Sequence, residues 1–231
     1  MTSRNQVFRQ GFRATFPYFG GIVPFGVLYA TIATNVGFPW WLTILFSIVV
    51  FAGSSQLVFI DLFTHLQSSL QAVLGSNIVN ARHLIYSAGV THQLSTFPRR
   101  WRLVLAYLLT DQLYAVSLAE ADEIREIPEE LQPWFYFGSG MFTWSFWVAS
   151  TAAGIAFGHV IPSSWNLGFS IPLMFMPLVF SVSKTKFAHL ASLFAIVFVF
   201  LFQSLPFGLG IFFAILCASI LAYFFEMRSL R

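Results

Sequence analysis

Apolar residues dominate eight long stretches of the chain, at roughly 16–34, 40–63, 68–91, 101–119, 133–157, 167–183, 187–204 and 207–225, and polar residues gather in the short gaps between them. Each stretch is close to the ~20 residues that a helix needs to cross a hydrocarbon core of about 30 Å. The pattern predicts an all-α polytopic integral membrane protein of about seven to eight hydrophobic helical segments, forming a single membrane-embedded domain over residues 1–231. The longest hydrophilic stretch, Glu120 to Gln132, holds six of the nine acidic residues and is expected to be a loop. It divides the chain into two possible repeat halves, 1–119 and 133–231.

The flanking charges conflict with simple crossings. Basic residues prefer the cytoplasmic side, yet three apolar stretches separate Arg4, Arg9 and Arg13 from Arg99, Arg100 and Arg102. Three full crossings cannot return the chain to its starting side. In the second half, Lys184 and Lys186 conflict in the same way with an external acidic loop. One segment per half is therefore expected to be re-entrant or broken, with the N-terminus, the Arg99 cluster and the Lys184 cluster cytoplasmic and the Glu120–Gln132 loop external. That arrangement would suit an inverted-topology repeat; eight plain crossings that violate a statistical rule are the alternative.

Composition narrows the class. Hydrophobic residues make up 57% and charged residues 9%, with a mean hydropathy of +0.75, which excludes a soluble domain. The net charge of +3 lies in runs beside apolar segments, which points to orientation in a bilayer and not to nucleic acid. The single cysteine, Cys217, permits no intramolecular disulfide. Arg4, Arg9 and Arg13 before an apolar run superficially resemble a signal peptide, but Pro17 and Pro24 interrupt the run and no A-x-A site follows. A retained first helix is expected.

Charge at membrane depth is costly, about 2.5 to 3.5 kcal/mol for a central Asp or Arg on insertion scales. Asp61, Arg82 and Asp111 are the residues concerned. Asp111 is the most central, with Thr110, Gln112 and Tyr114 around it, and is a candidate proton carrier or a static polar clamp. Asp61 lies near a segment end, within reach of interfacial water. The third segment is the most polar, and on one straight helix Ser76, Asn80, His83 and Ser87 would share a face with Arg82 pointing away. Either Arg82 reaches a separate partner such as Asp111 or Asp61, or the helix breaks near Gly75 and Asn77. A hydrogen-bonded packing seam would also use such residues.

In the second segment, Phe51-Ala-Gly-Ser-Ser-Gln56 interrupts the apolar run. A break at Gly53 would begin a half-helix near Ser54 and Ser55, whose free N–H groups suit a carboxylate; close helix packing is the other use of small residues. Pro24 is expected to kink the first segment, and Pro172 and Pro177 could break the sixth. Gly154 and Gly158 form a GxxxG pair. Most of the 29 Phe and 7 Trp suit lipid contact and interfacial anchoring, while Trp144 and Trp147 lie deeper, as packing groups or as the lining of an apolar pocket.

The ordered set G-G-I-V-P-F-G (Gly20 to Gly26), F-A-G-S-S-Q (Phe51 to Gln56), N-I-V-N-A-R-H-L-I-Y-S (Asn77 to Ser87) and T-D-Q-L-Y (Thr110 to Tyr114) resembles the AzlC-type large subunit of bacterial branched-chain amino-acid exporters. The family pattern often has Ala where Ser54 stands and Glu where Gln112 stands. The motifs cover the first half; the second matches loosely. The resemblance implies efflux of valine, leucine and isoleucine, with methionine as a further candidate substrate, across the bacterial cytoplasmic (inner) membrane, driven by protons, together with a small AzlD-type membrane subunit. Beside it, the residues themselves give Gly53, Ser54, Ser55, Gln56, Asn77 and Asn80 as candidate substrate-binding groups, and Asp111, Arg82 and His83 as candidates for proton coupling or ion pairing. No cofactor, metal or nucleic acid is expected. A passive channel or structural subunit is the rival class. An intramembrane enzyme lacks support, because no G-x-S-x-G or H-E-x-x-H spacing is present.

Overall fold

The computed structural model describes residues 3–66, 69–160, 185–204 and 209–229, all of which lie in helices, turns and short connections. The chain divides into two compact units, Met1–Leu178 and Val179–Arg231. The sixth apolar stretch, with Pro172, Pro177 and Lys184, lies outside the described residues.

The first unit begins with α1 (Arg4–Ala14), started by a Ser3/Gln6 capping box. A 3-10 turn at Phe16–Tyr18 leads into α2 (Phe19–Asn35), which continues through Pro24. Among the described residues, the run Arg4–Asn35 is the one helical stretch long and apolar enough to cross a membrane unaided. Three further apolar stretches form pairs of shorter helices: α3 (Trp40–Val49) and α4 (Gly53–Leu66), α5 (Ser69–Asn80) and α6 (Arg82–Leu94), α7 (Arg99–Leu108) and α8 (Asp111–Ala119). The acidic stretch, expected as plain loop, contains the short helix α9 (Ala121–Glu126). The long α10 (Gln132–Phe157) follows.

The α1–α2 run lies parallel to α10, and glycines permit the approach. A side chain on Gly11 would enter the Phe135 carbonyl, one on Gly138 the Phe8 carbonyl, and one on Gly154 Val27 and Ala30. Gly154 and Gly158 are thus occupied by α2 of the same chain, Gly158 facing Thr31. Rings continue the seam, Phe12 against Phe142 at 4.9 Å and Phe19 against Phe146 at 5.0 Å.

Pairings of side chains give each broken stretch its direction. In α3–α4, Phe46 meets Phe59 at 5.0 Å and Phe38 meets Phe63 at 5.8 Å, so α4 doubles back along α3. In α5–α6 the chain keeps its course. Ser55 donates to the Ser76 carbonyl at 2.8 Å, and farther on the Tyr136 hydroxyl donates to Gln93 at 3.2 Å. The α7–α8 pair doubles back from the other end, since Trp101 packs on Trp134 at 5.0 Å and Gln10, after the chain has returned, donates to Glu123 at 3.3 Å. Two hairpins therefore enter from opposite ends, with α5–α6 passing between them.

This corrects two expectations. The third stretch breaks at Ala81, not near Gly75 and Asn77, so Ser76 and Asn80 end one helix while His83 and Ser87 belong to the next. The acidic stretch lies at the same end as the N-terminus and the Arg99 cluster, not opposite them: Arg4 sits over the Trp134 ring at 5.9 Å, and Gln10 reaches Glu123. The reason is that the fourth stretch returns on itself as well as the second.

In the second unit, α11 (Lys186–Phe202) and α12 (Leu209–Ser229) pack antiparallel, Phe202 against Phe213 at 6.5 Å and Phe194 against Phe225 at 5.8 Å.

In a Cys217→Ser background, Gln10→Cys with Glu123→Cys should be joined efficiently by a short bifunctional thiol reagent, seen as a mobility shift on denaturing gels. A pair placed at opposite ends, Gln10→Cys with Val36→Cys, should give no such product.

Candidate functional site

The three chain breaks meet. After α3, Phe51 adopts the left-handed region at φ +47°, unusual without glycine, and Gly53 then opens α4. Before α8, Leu109 and Thr110 are extended, and Thr110 caps the helix through the Leu113 N–H at 3.5 Å. A turn at Ala81 opens α6 at Arg82. Residues 51–54, 82–83 and 110–112 surround one cavity, closed by Ile22 and Phe25 of α2 and by Thr143 and Trp147 of α10. Thr143 lies about 17 Å from the start of α10 at ~1.5 Å per residue, near the middle of that helix. At about 30 Å³ the cavity has room for one or two waters.

Each of the three helices starts at this cavity. First-turn N–H groups have no acceptor within their own helix, and the helix dipoles add positive potential there. Arg82 adds a full positive charge. Its Nη2 lies 3.3 Å from Asp111 Oδ2 and donates to Ser54 Oγ at 2.8 Å, so one guanidinium joins all three breaks. Asp111 is buried, and its Oδ1 has no hydrogen-bond partner. Tyr86, stacked on Tyr114 at 4.8 Å, stands within hydrogen-bonding and electrostatic reach of the carboxylate. His83 lines the cavity beside Arg82.

Of the residues singled out from sequence, Gly53, Ser54, Arg82, His83 and Asp111 come together here; Ser55, Gln56, Asn77 and Asn80 are not among the lining residues. Ser55 clamps α4 to α5 through the Ser76 carbonyl. Gln56 points into a buried polar seam, donating to Ser47 at 3.4 Å, while Ser47 pairs with Thr151 at 2.9 Å. Asn77 is exposed and donates to the Val73 carbonyl of its own helix at 2.8 Å. Asn80 is half-buried with Oδ1 unpartnered, and Asp61 is exposed. Among the described residues no group of His, Cys, Asp or Glu is placed to hold a metal ion.

Sequence reasoning left out Thr143 as a site residue and weighed Trp147 mainly as packing. Both line the cavity, and Thr143 Oγ1 and Trp147 Nε1 are buried without partners. Their four-residue spacing, one helical turn, was the available signal. Trp144, by contrast, donates to the Tyr107 hydroxyl at 2.8 Å.

Removing one partner of a buried ion pair strands the other, at a cost of about 3–5 kcal/mol. Arg82→Met should therefore lower the unfolding temperature in detergent markedly. Adding Asp111→Asn should recover much of that loss, whereas additive damage would mean that the two groups do not depend on each other.

The family profile described as AzlC protein matches residues 17–161. A membrane protein of Archaeoglobus fulgidus without assigned function is 30% identical over 82% of this chain and 82% of its own length. The branched-chain amino acid transport protein AzlC of Bacillus subtilis is 25% identical over 76% of this chain and 69% of its own. The inner membrane protein YgaZ of Escherichia coli is 25% identical over 78% and 74% respectively. No solved structure matches.

Proposed function

This chain belongs to the AzlC family of membrane transport proteins, and on that premise we propose that it exports branched-chain amino acids in exchange for protons through the cavity where the three helix breaks meet. The observation that carries the reading is the buried Arg82–Asp111 pair set among helix N-termini and apolar walls. An amino-acid zwitterion needs donors for its carboxylate, an acceptor for its ammonium and an apolar surface for its side chain. Arg82, Ser54 and the first turn of α4 offer the donors; Asp111 Oδ1 offers the acceptor; Ile22, Phe25, Phe51 and Trp147 offer the surface.

Exchange follows from competition at Asp111. Ionised, the carboxylate can hold the substrate ammonium; protonated, it cannot. A proton arriving from one side would thus release the amino acid to that side, which is the sense required for efflux driven by a proton gradient. The cavity holds only a water or two, so its walls must part to admit an amino acid, which favours a carrier over an open pore.

The membrane placement follows from charge. Arg4, Arg9, Arg13, Arg99, Arg100 and Arg102 share one end of the first unit, which the positive-inside rule assigns to the cytoplasm. The hairpins α3–α4 and α7–α8 are then re-entrant from the outer and inner faces, an inverted pair around the crossing α5–α6. The acidic stretch belongs on the cytoplasmic face, since carboxylates contribute little to the rule. A small membrane subunit of the AzlD type completes the exporter; because α2 fills the Gly154/Gly158 groove, that subunit docks elsewhere.

In proteoliposomes containing both subunits, labelled leucine should undergo counterflow and accumulate against its gradient when a pH gradient is imposed. Asp111→Asn should lose that accumulation; if it accumulates leucine with the wild-type dependence on pH gradient, Asp111 does not couple protons. Omitting the small subunit should abolish most flux, and undiminished flux from this chain alone would remove the subunit from the scheme.

A further inference from the structure

Asp111, Thr143 and Trp147 line the cavity, each carries a buried polar atom that makes no hydrogen bond, and these atoms differ in kind. Asp111 Oδ1 on α8 is an acceptor, whereas Trp147 Nε1 on α10 is a donor only and Thr143 Oγ1 can donate. Trp147 and Thr143 are each 4% exposed and Asp111 5%, so bulk water does not reach them freely. Leaving such groups unpaired costs about 1–3 kcal/mol each. Buried groups of this sort call for a partner, whether a water, an ion or a bound solute.

The indole is held in one orientation. Its ring stands edge-on to Phe25 at 5.6 Å and stacks on Tyr29 at 5.9 Å. The Trp147 carbonyl accepts the hydroxyls of Ser150 and Thr151, both at 2.9 Å, which ties down the helix behind the ring. A Cβ on Gly53 would collide with the Trp147 ring, so the indole lies directly on the first turn of α4. It is the benzo edge of the indole, Cη2 and Cζ2, that packs on this turn, and Gly53, Thr143 and Trp147 all line the cavity.

We propose that Trp147 Nε1 and Thr143 Oγ1 bind the carboxylate of the substrate, which rests on reading this cavity as the substrate site. The donors lie on the α4–α10 wall and the free acceptor on α8, so the zwitterion is held in a single orientation. Specificity follows: a site whose buried donors need an acceptor discriminates against analogues that lack one. The protein selects α-amino acids over the corresponding amines without a carboxylate, although both carry the same ammonium and the same apolar side chain.

Binding can be measured apart from transport, as the rise in unfolding temperature of the detergent-purified protein with added L-leucine or 3-methylbutylamine, which is leucine without its carboxylate. Trp147→Phe keeps a ring and removes the N–H; Thr143→Val keeps the shape and removes the hydroxyl. In each variant the half-saturating leucine concentration should rise roughly tenfold to a hundredfold, the equivalent of one hydrogen bond to a charged group, while that for 3-methylbutylamine stays within about twofold. Leucine binding unchanged in both variants, an equal loss for leucine and 3-methylbutylamine, or no leucine-induced rise in the wild type would each overturn the assignment. Leucine binding with these signatures but no leucine flux in proteoliposomes would sustain it and defeat the transport reading instead.

Discussion

One guanidinium holds the centre of this protein. Arg82 bonds Ser54 at the start of α4 and pairs with Asp111 at the start of α8, while itself standing at the start of α6. Three interruptions of backbone hydrogen bonding would be prohibitive if each faced lipid alone. Gathered around one cavity, they satisfy part of one another's demand, and the charges that would each be costly at that depth are paired. The fold of the first unit can be read as the arrangement that brings these three points together.

The rest of that unit supports this centre through close backbone approach. Glycines 11, 138, 154 and 158 let α1–α2 lie along α10, so the two walls that close the cavity, Ile22/Phe25 and Thr143/Trp147, are fixed relative to each other. Behind them a buried polar seam, Ser47 with Thr151 and Gln56 with Ser47, ties α3, α4 and α10. Hydrogen bonds across helices supply specificity where hydrophobic contrast with lipid is absent. Residues that resemble binding groups in sequence, such as Gln56 and Ser55, are used there.

Hydrophobic pattern made the all-helical class legible, and the cost of burying charge made Asp111 and Arg82 stand out before any coordinates. The break at Gly53 was legible because small and hydroxyl residues interrupt an apolar run. The break at Ala81 was not, since Asn-Ala-Arg carries no proline or glycine and the tertiary pull of Arg82 toward Asp111 decides it. Charge counting correctly required the chain to double back once before Arg99. It missed the second return at Leu109–Thr110, because an acidic stretch leaves no signature of side. Thr143 and Trp147 were hidden for a different reason: on a helix rich in aromatic rings, only the third dimension shows which N–H lacks an acceptor.

The contact between Gln10 and Glu123 carries a consequence for the field around the molecule. It places the acidic stretch beside the arginines of the N-terminus and of residues 99–102, so within the first unit the opposite charges at that end nearly cancel even though the whole chain has a pI near 9.2. Beyond a Debye length of about 8 Å in physiological salt, the first unit's own charges at that end add almost no net potential. A solute carrying equal and opposite charges is neither drawn in nor turned away by such a surface, and it is sorted only once it reaches the fixed charges inside.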